Sequence, residues 1–82
     1  MAKNKKNEKT LDEVCLGETA VVKKLDARGA ARMRFLDLGI VCGTEIKPLF
    51  KSVFGDPVAF QIRGTVIALR QKDCRTIIIK DT

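Results

Sequence analysis

The sequence predicts a mainly β fold with one short helix, a small antiparallel barrel of about five strands. Three observations carry that expectation. Short β-branched runs are separated by reversals rich in Gly, Pro and Asp. Only one stretch has helical spacing of its apolar residues. At 82 residues the chain has room for a single domain and none for parallel crossovers. A few antiparallel strands cover both faces best by curling over their own core.

Residues Met1 to Lys9 are polar, Lys- and Asn-rich and without periodicity, and read as a disordered basic tail. Residues 10–82 form the domain. Thr10 precedes Leu-Asp-Glu and is expected to cap a short turn, with Glu13 completing a capping box. Leu11 and Val14 then face the core, and Gly17 ends the turn. Ala20 to Leu25 (AVVKKL) is β-rich and reads as the first strand, broken by Asp26, Arg28 and Gly29. Ala30 to Leu38 (AARMRFLDL) reads as the helix. Ala31, Phe35 and Leu38 share one face there, and Arg32 and Arg34 point away from it. Gly39 suits the left-handed residue after the helix, with Ile40 packing back on Phe35.

Thr44 to Ser52 (TEIKPLFKS) alternates as a strand, and Pro48 in it demands an edge or a bulge. Phe54-Gly55-Asp56-Pro57 is a turn, with Asp56 expected to bond to its own turn backbone. Val58, Phe60 and Ile62 alternate with polar or small residues, as in a half-buried strand. Arg63-Gly64 makes a tight reversal into Thr65 to Leu69, with Ile67 and Leu69 facing in. Gln71 to Cys74 reads as a polar turn. Thr76 to Lys80 (TIIIK) closes the fold, its unbroken apolar run implying burial on both faces or closure of the barrel.

Catalytic chemistry is hard to find. The chain has no His, which excludes Ser-His-Asp and Cys-His nucleophile systems and His-containing zinc sites. Cys15, Cys42 and Cys74 lack metal-site spacing and read as small packing residues in a reducing cytosol, with Cys42, after the helix stop, partly exposed. The acids are scattered, and the glycines fall one to a reversal, so there is neither a carboxylate pair nor a phosphate loop. No apolar run reaches the roughly 20 residues of a membrane span, so no membrane insertion is expected. Together these point to a non-enzymatic, cytoplasmic binding module without a cofactor.

The formal charge is +6. About half of that excess sits on the tail, in Lys3, Lys5, Lys6 and Lys9 against Glu8. Among the aromatics, Phe35 and Phe60 belong to the core pattern, leaving Phe50 and Phe54 spare. Val53-Phe54 is apolar at a turn, where polar residues are usual. Either Phe54 folds back over the barrel end, or it stands out as a contact for a protein partner. In the second case Arg32, Arg34 and Arg63 flank the patch. Nothing in the sequence sets an oligomeric state.

The ordered blocks LDEV…GETAVV, RMRFLDLGIVCGTEI, GDPVAFQIRGTVIALR and TIII closely resemble the ferrous-iron transport protein A (FeoA) family, over Leu11 to Lys80. The resemblance implies an SH3-like barrel with an inserted helix. It also implies a cytosolic accessory role beside FeoB, the membrane ferrous-iron transporter with a cytoplasmic GTPase domain. Fe(II) sites favour His and carboxylates, so the expected link to iron is indirect, through that transporter. Two other readings compete. One is a small basic nucleic-acid-binding barrel, although no specific nucleic-acid readout is visible. The other is a metal or redox protein built on the three cysteines. The nucleic-acid reading has a direct check: binding should fall steeply with rising salt. If only the tail is responsible, removal of Met1 to Lys9 should abolish it.

Overall fold

In the structure, a computed structural model, residues 8–80 are described. The strands are β1 (Lys9–Thr10), β2 (Ala20–Leu25), β3 (Glu45–Lys51), β4 (Val58–Ile62), β5 (Thr65–Leu69) and β6 (Ile77–Ile79). A 3-10 turn spans Leu11–Glu13, and the helices are α1 (Gly29–Asp37) and α2 (Gln71–Cys74). All pairings are antiparallel, in the order β1-β6-β2-β3-β4-β5.

The expected mainly β, SH3-like architecture is present, with six strands in place of five and a sheet whose two edges do not join. The added strand overlaps the expected tail. Lys9 pairs with Ile79 and Thr10 with Ile78. Strand β6 has two sides to satisfy, and β2 takes only one of them, so Lys9 belongs to the sheet. Glu8 lies 3.4 Å from Lys23 and 3.7 Å from Lys24, and the rest of the expected tail, residues 1–7, lies outside the described residues. Thr10 N–H donates to Glu13 Oε1 at 3.3 Å, the reciprocal half of the capping box. Leu11 is buried, and Val14 packs at the core's margin.

Strand β2 serves two layers. Its first residues pair with β3 (Ala20 with Ile46, Val21 with Glu45), and its later ones pair with β6 (Val22 with Ile79, Leu25 with Ile77). The register shifts between Val22 and Lys24, which is where the sheet bends. The layers face each other across a core of Val22, Ile46, Phe60, Ile62, Leu69, Ile77 and Ile79. Pro48 satisfies the bulge alternative, since the β3–β4 register shifts directly after it. Its carbonyl accepts the Gly17 N–H at 2.7 Å.

Helix α1 seals one end of this core with Phe35, while Ala31 and Leu38 pack at the margin. Its termination follows the sequence closely. Gly39 takes φ +87°, its N–H reaches Leu36 O at 3.0 Å, and Ile40 N–H reaches Phe35 O at 2.9 Å. These two bonds make a Schellman motif, and Ile40 and Phe35 are both fully buried beside it. Thr44 completes the following loop. Its Oγ1 donates to Gly39 O at 2.9 Å and accepts the Val41 N–H at 3.1 Å.

The segment expected as a polar turn, Gln71 to Cys74, is instead the helix α2. Long-range bonding explains the difference. Asp56 does not bond within its own turn; its Oδ1 accepts the Gln71 N–H at 2.9 Å, capping α2 from another part of the chain. At the other end of α2, Cys74 is buried in the core.

The Arg63-Gly64 reversal takes positive φ at both residues, 51° and 81°, as a two-residue type I′ hairpin requires. The turn lays the Arg63 side chain over Gly39. A Cβ at Gly39 would stand 2.7 Å from Arg63 Cδ and 3.2 Å from its Nε. Gly39→Ala is therefore expected to destabilise the fold by about 1–3 kcal/mol, from left-handed backbone strain plus this clash. Urea denaturation midpoints measure it. In the Gly39→Ala background, Arg63→Ala should recover the steric part and leave the backbone part.

Candidate partner-binding surface

The β3–β4 hairpin builds the most exposed apolar feature of the described residues. The strands part after Lys51 and rejoin at Val58. Between them Ser52 N–H donates to Pro57 O at 3.1 Å and Gly55 N–H donates to Ser52 O at 2.9 Å. Val53 and Phe54 thus occupy the two central positions of a closed turn, with Gly55 at φ +85° accommodating the reversal. Neither side chain folds inward. Val53 is 94% exposed and Phe54 93% exposed, so Phe54 does not cap the barrel end. Phe50, on the outer face of β3, is 59% exposed and extends the apolar surface down the hairpin.

The base of this loop is held while its tip is free. Asp56 Oδ1 takes the Gln71 N–H, and Gly55 O takes the Gln71 side-chain Nε2 at 3.4 Å. The base is thereby anchored to α2. Covering an aromatic and a branched aliphatic side chain is worth about 1.5–3 kcal/mol each when the surface is dry. A pair held out on a braced loop suits contact with a second apolar surface.

The three arginines expected to flank Phe54 are not brought together. Arg32 Nη1 reaches back to Leu25 O at 3.3 Å, linking α1 to the end of β2. Arg34 Nη1 lies 3.7 Å from Asp73 Oδ2, linking α1 to α2. Arg63 is at the opposite end of β4 from the tip, folded over Gly39. Arg63 is separated from Phe54 by the whole of β4, a strand of five residues spanning roughly 17 Å, so it cannot share that patch. The expected order of turn, strand and turn already implied this separation, because consecutive turns of a meander lie at opposite ends of the strand between them.

A cavity of about 480 Å³ opens beside Arg63, lined among others by Thr44, Glu45, Lys47 and Gln61. Its lining is polar, with no nucleophile–base pair. Among the described residues, no three His, Cys, Asp or Glu side chains gather as metal ligands. No helix among them is long and apolar enough to cross a membrane. Cys15, like Cys42, is exposed instead of packed, and only Cys74 is buried. Burial, and then the nearby carboxylates of Asp12, Asp73 and Asp56, push the Cys74 thiol up to about 12 from an ordinary value of 9.0.

The match to known proteins now has a structural frame. The FeoA domain model matches residues 9–81. This chain belongs to the FeoA family. The match begins at Lys9, the first residue of β1, so the added strand is part of the family domain. The chain is 31% identical over 70 residues to an Fe(2+) transport protein A/Fe(2+) transporter FeoB fusion protein from Porphyromonas gingivalis. That alignment covers 85% of this chain but spans only 8% of the length of the fusion protein. Among solved structures, Chlorobium tepidum FeoA superimposes with a TM-score of 0.81 at 31% identity, covering 87% of this chain and 68% of that one. Stenotrophomonas maltophilia FeoA, a prokaryotic SH3 domain protein complexed with zinc, superimposes with a TM-score of 0.79 at 32% identity. The match covers 88% of this chain and 89% of that one.

The thiols give a direct test of this geometry. A thiol reagent at neutral pH should modify Cys15 and Cys42 quickly and Cys74 only on unfolding, as read by mass spectrometry of the labelled peptides. The folded chain keeps the Cys74 proton where the unfolded chain releases it, above about pH 9. Stability from this site is therefore fully present below pH 9 and declines as pH rises towards 12. Relative to Cys74→Ala, the wild-type urea midpoint should fall across that interval.

Proposed function

We propose that this FeoA protein is a non-catalytic, cytoplasmic accessory protein of ferrous-iron uptake that binds the cytoplasmic GTPase domain of FeoB. The observation that carries the reading is the Porphyromonas gingivalis relative, which joins Fe(2+) transport protein A and transporter FeoB in one polypeptide. Domains fused in one protein work at high effective concentration. A separate chain with the same domain must replace that tether with affinity, which requires a contact surface.

The braced Val53-Phe54 tip is the contact we assign to this role. Its apolar side chains are already in water, so docking removes a standing cost without unpacking the core. Phe50 widens the contact, and Lys51 beside it favours an acidic rim on the partner. Arg32, Arg34 and Arg63 are assigned no direct part in this contact. In this reading the chain meets iron through the transporter; Fe(II) sites favour His and carboxylates, and the sequence has no His.

Titration of the full chain against the isolated GTPase domain of the cognate FeoB, with and without a GTP analogue, tests the proposal. Binding in at least one nucleotide state is expected. Absence of binding in both states, and to the other cytoplasmic segments of the transporter, overturns it. Phe54→Asp should weaken binding roughly tenfold or more, as loss of a buried aromatic anchor does. The thermal midpoint should hardly move, because an exposed substitution costs within about 0.5 kcal/mol. An unfolded Phe54→Asp chain would contradict the exposed placement of this side chain.

A further inference from the structure

The two edges of the sheet differ. Strand β1 is two residues long and carries Lys9, a short charged edge of the kind that discourages further pairing. Strand β5 is five residues long, Thr65-Val66-Ile67-Ala68-Leu69, with no charge and no proline. Its register with β4 runs without a bulge from Ile62–Thr65 to Val58–Leu69. No described residue pairs with its other side. A straight, uncharged, open edge is what proteins ordinarily blunt. Here it is left intact.

Register identifies the available groups. A two-residue hairpin makes Ile62–Thr65 a hydrogen-bonded pair. Alternation then gives Ile67 and Leu69 to β4 and turns the N–H and C=O of Val66 and Ala68 outward. The side chains of these two residues are on the outer face, where Val66 is 56% exposed and Ala68 is exposed. Two exposed cations flank the strand: Arg63, in the turn before it, lays its side chain over Gly39, and Arg70 follows Leu69 directly. Among the described residues, neither joins the ion pairs, which are Lys23 and Lys24 with Glu8, Arg34 with Asp73 and Arg75 with Asp12.

These charges choose the occupant. A second copy pairing antiparallel about Ile67 would bring one chain's Arg70 beside the other's Arg63-Gly64 turn, at both ends. Parallel pairing in register would stack each arginine on itself. Like charges so placed oppose self-association. We infer that the free edge of β5 is a strand-addition site for an extended acidic segment of a partner protein, with β-branched residues alternating along it and a carboxylate at the end that meets Arg70. Backbone bonds to Val66 and Ala68 supply affinity, and Arg70 selects the charge. This surface is distinct from the Val53-Phe54 tip, and the inference stands independently of the proposed transporter contact.

The test uses the full chain, labelled with nitrogen-15, and short synthetic peptides alternating valine with threonine. One carries glutamate at both ends, a second carries lysine there, and a third is the glutamate peptide with its backbone nitrogens methylated. The glutamate peptide should shift the Val66 and Ala68 amides and protect them from hydrogen exchange. It should bind about tenfold more tightly than the lysine peptide at low salt, with the advantage shrinking as salt rises. Arg70→Glu should narrow or reverse that preference while leaving the chain folded, and the methylated peptide should not bind. Equal affinity for the two charged peptides, binding of the methylated one, shifts confined to the hairpin tip, or no binding at all would each overturn the inference. So would self-association of the free chain with Val66 and Ala68 protected.

Discussion

Everything in this fold turns on one strand that has to serve two layers. Strand β2 spends its first half on β3 and its second on β6, and Val22, at the changeover, is fully buried. The pairing continues into the loop on the β3 side, where Val22 N–H meets Thr44 O and Gly43 N–H meets Val22 O, at 2.9 and 2.8 Å. A straight β2 would have given an open sheet with one face in water. A bent one folds the sheet over itself, so that inward residues of both layers share one core. A chain this short buries only about 60% of the surface it exposes when unfolded, and the bend is how it reaches even that.

The connections do more than reverse direction. The loop after α1 is closed by the Schellman pair at Gly39 and Ile40 and by the Thr44 hydroxyl, which joins Gly39 to Val41. Gly39 also leaves room for Arg63 from the β4–β5 turn, so two reversals distant in sequence interlock. A parallel case is the Asp56 carboxylate, which caps α2 and braces the β3–β4 loop in one bond. Such contacts are local in space and remote in sequence. They brace the base of the loop while leaving Val53 and Phe54 in solvent.

Among the described residues of this FeoA domain, no three potential metal ligands gather, and the polar cavity beside Arg63 holds no nucleophile–base pair. The buried thiol stays protonated, and the arginines of α1 reach back to β2 and to α2. The most exposed apolar side chains stand at the tip of one hairpin, and among the described residues β5 leaves one side unpaired. The tip belongs to the β3–β4 loop, and the unpaired side belongs to β5, the next strand beyond β4.

The sequence by itself determined what short-range physics controls: the alternation of Val58, Phe60 and Ile62, the helical face of Phe35, the stop at Gly39, and the reversal at Arg63-Gly64. Each depends on residues within a few positions of one another, through side-chain periodicity or φ preference. The block order was enough to name the family and, through it, the SH3-like fold. Tertiary structure alone decided what depends on remote partners. Lys9 is a strand because β6 has an open side. Gln71 to Cys74 is a helix because Asp56 caps it. Arg63 lies over Gly39 because the fold brings the β4–β5 turn against the end of α1. Phe54 itself was legible as a choice between folding in and standing out. Only the closed turn, tied below the tip to α2, holds it in the open.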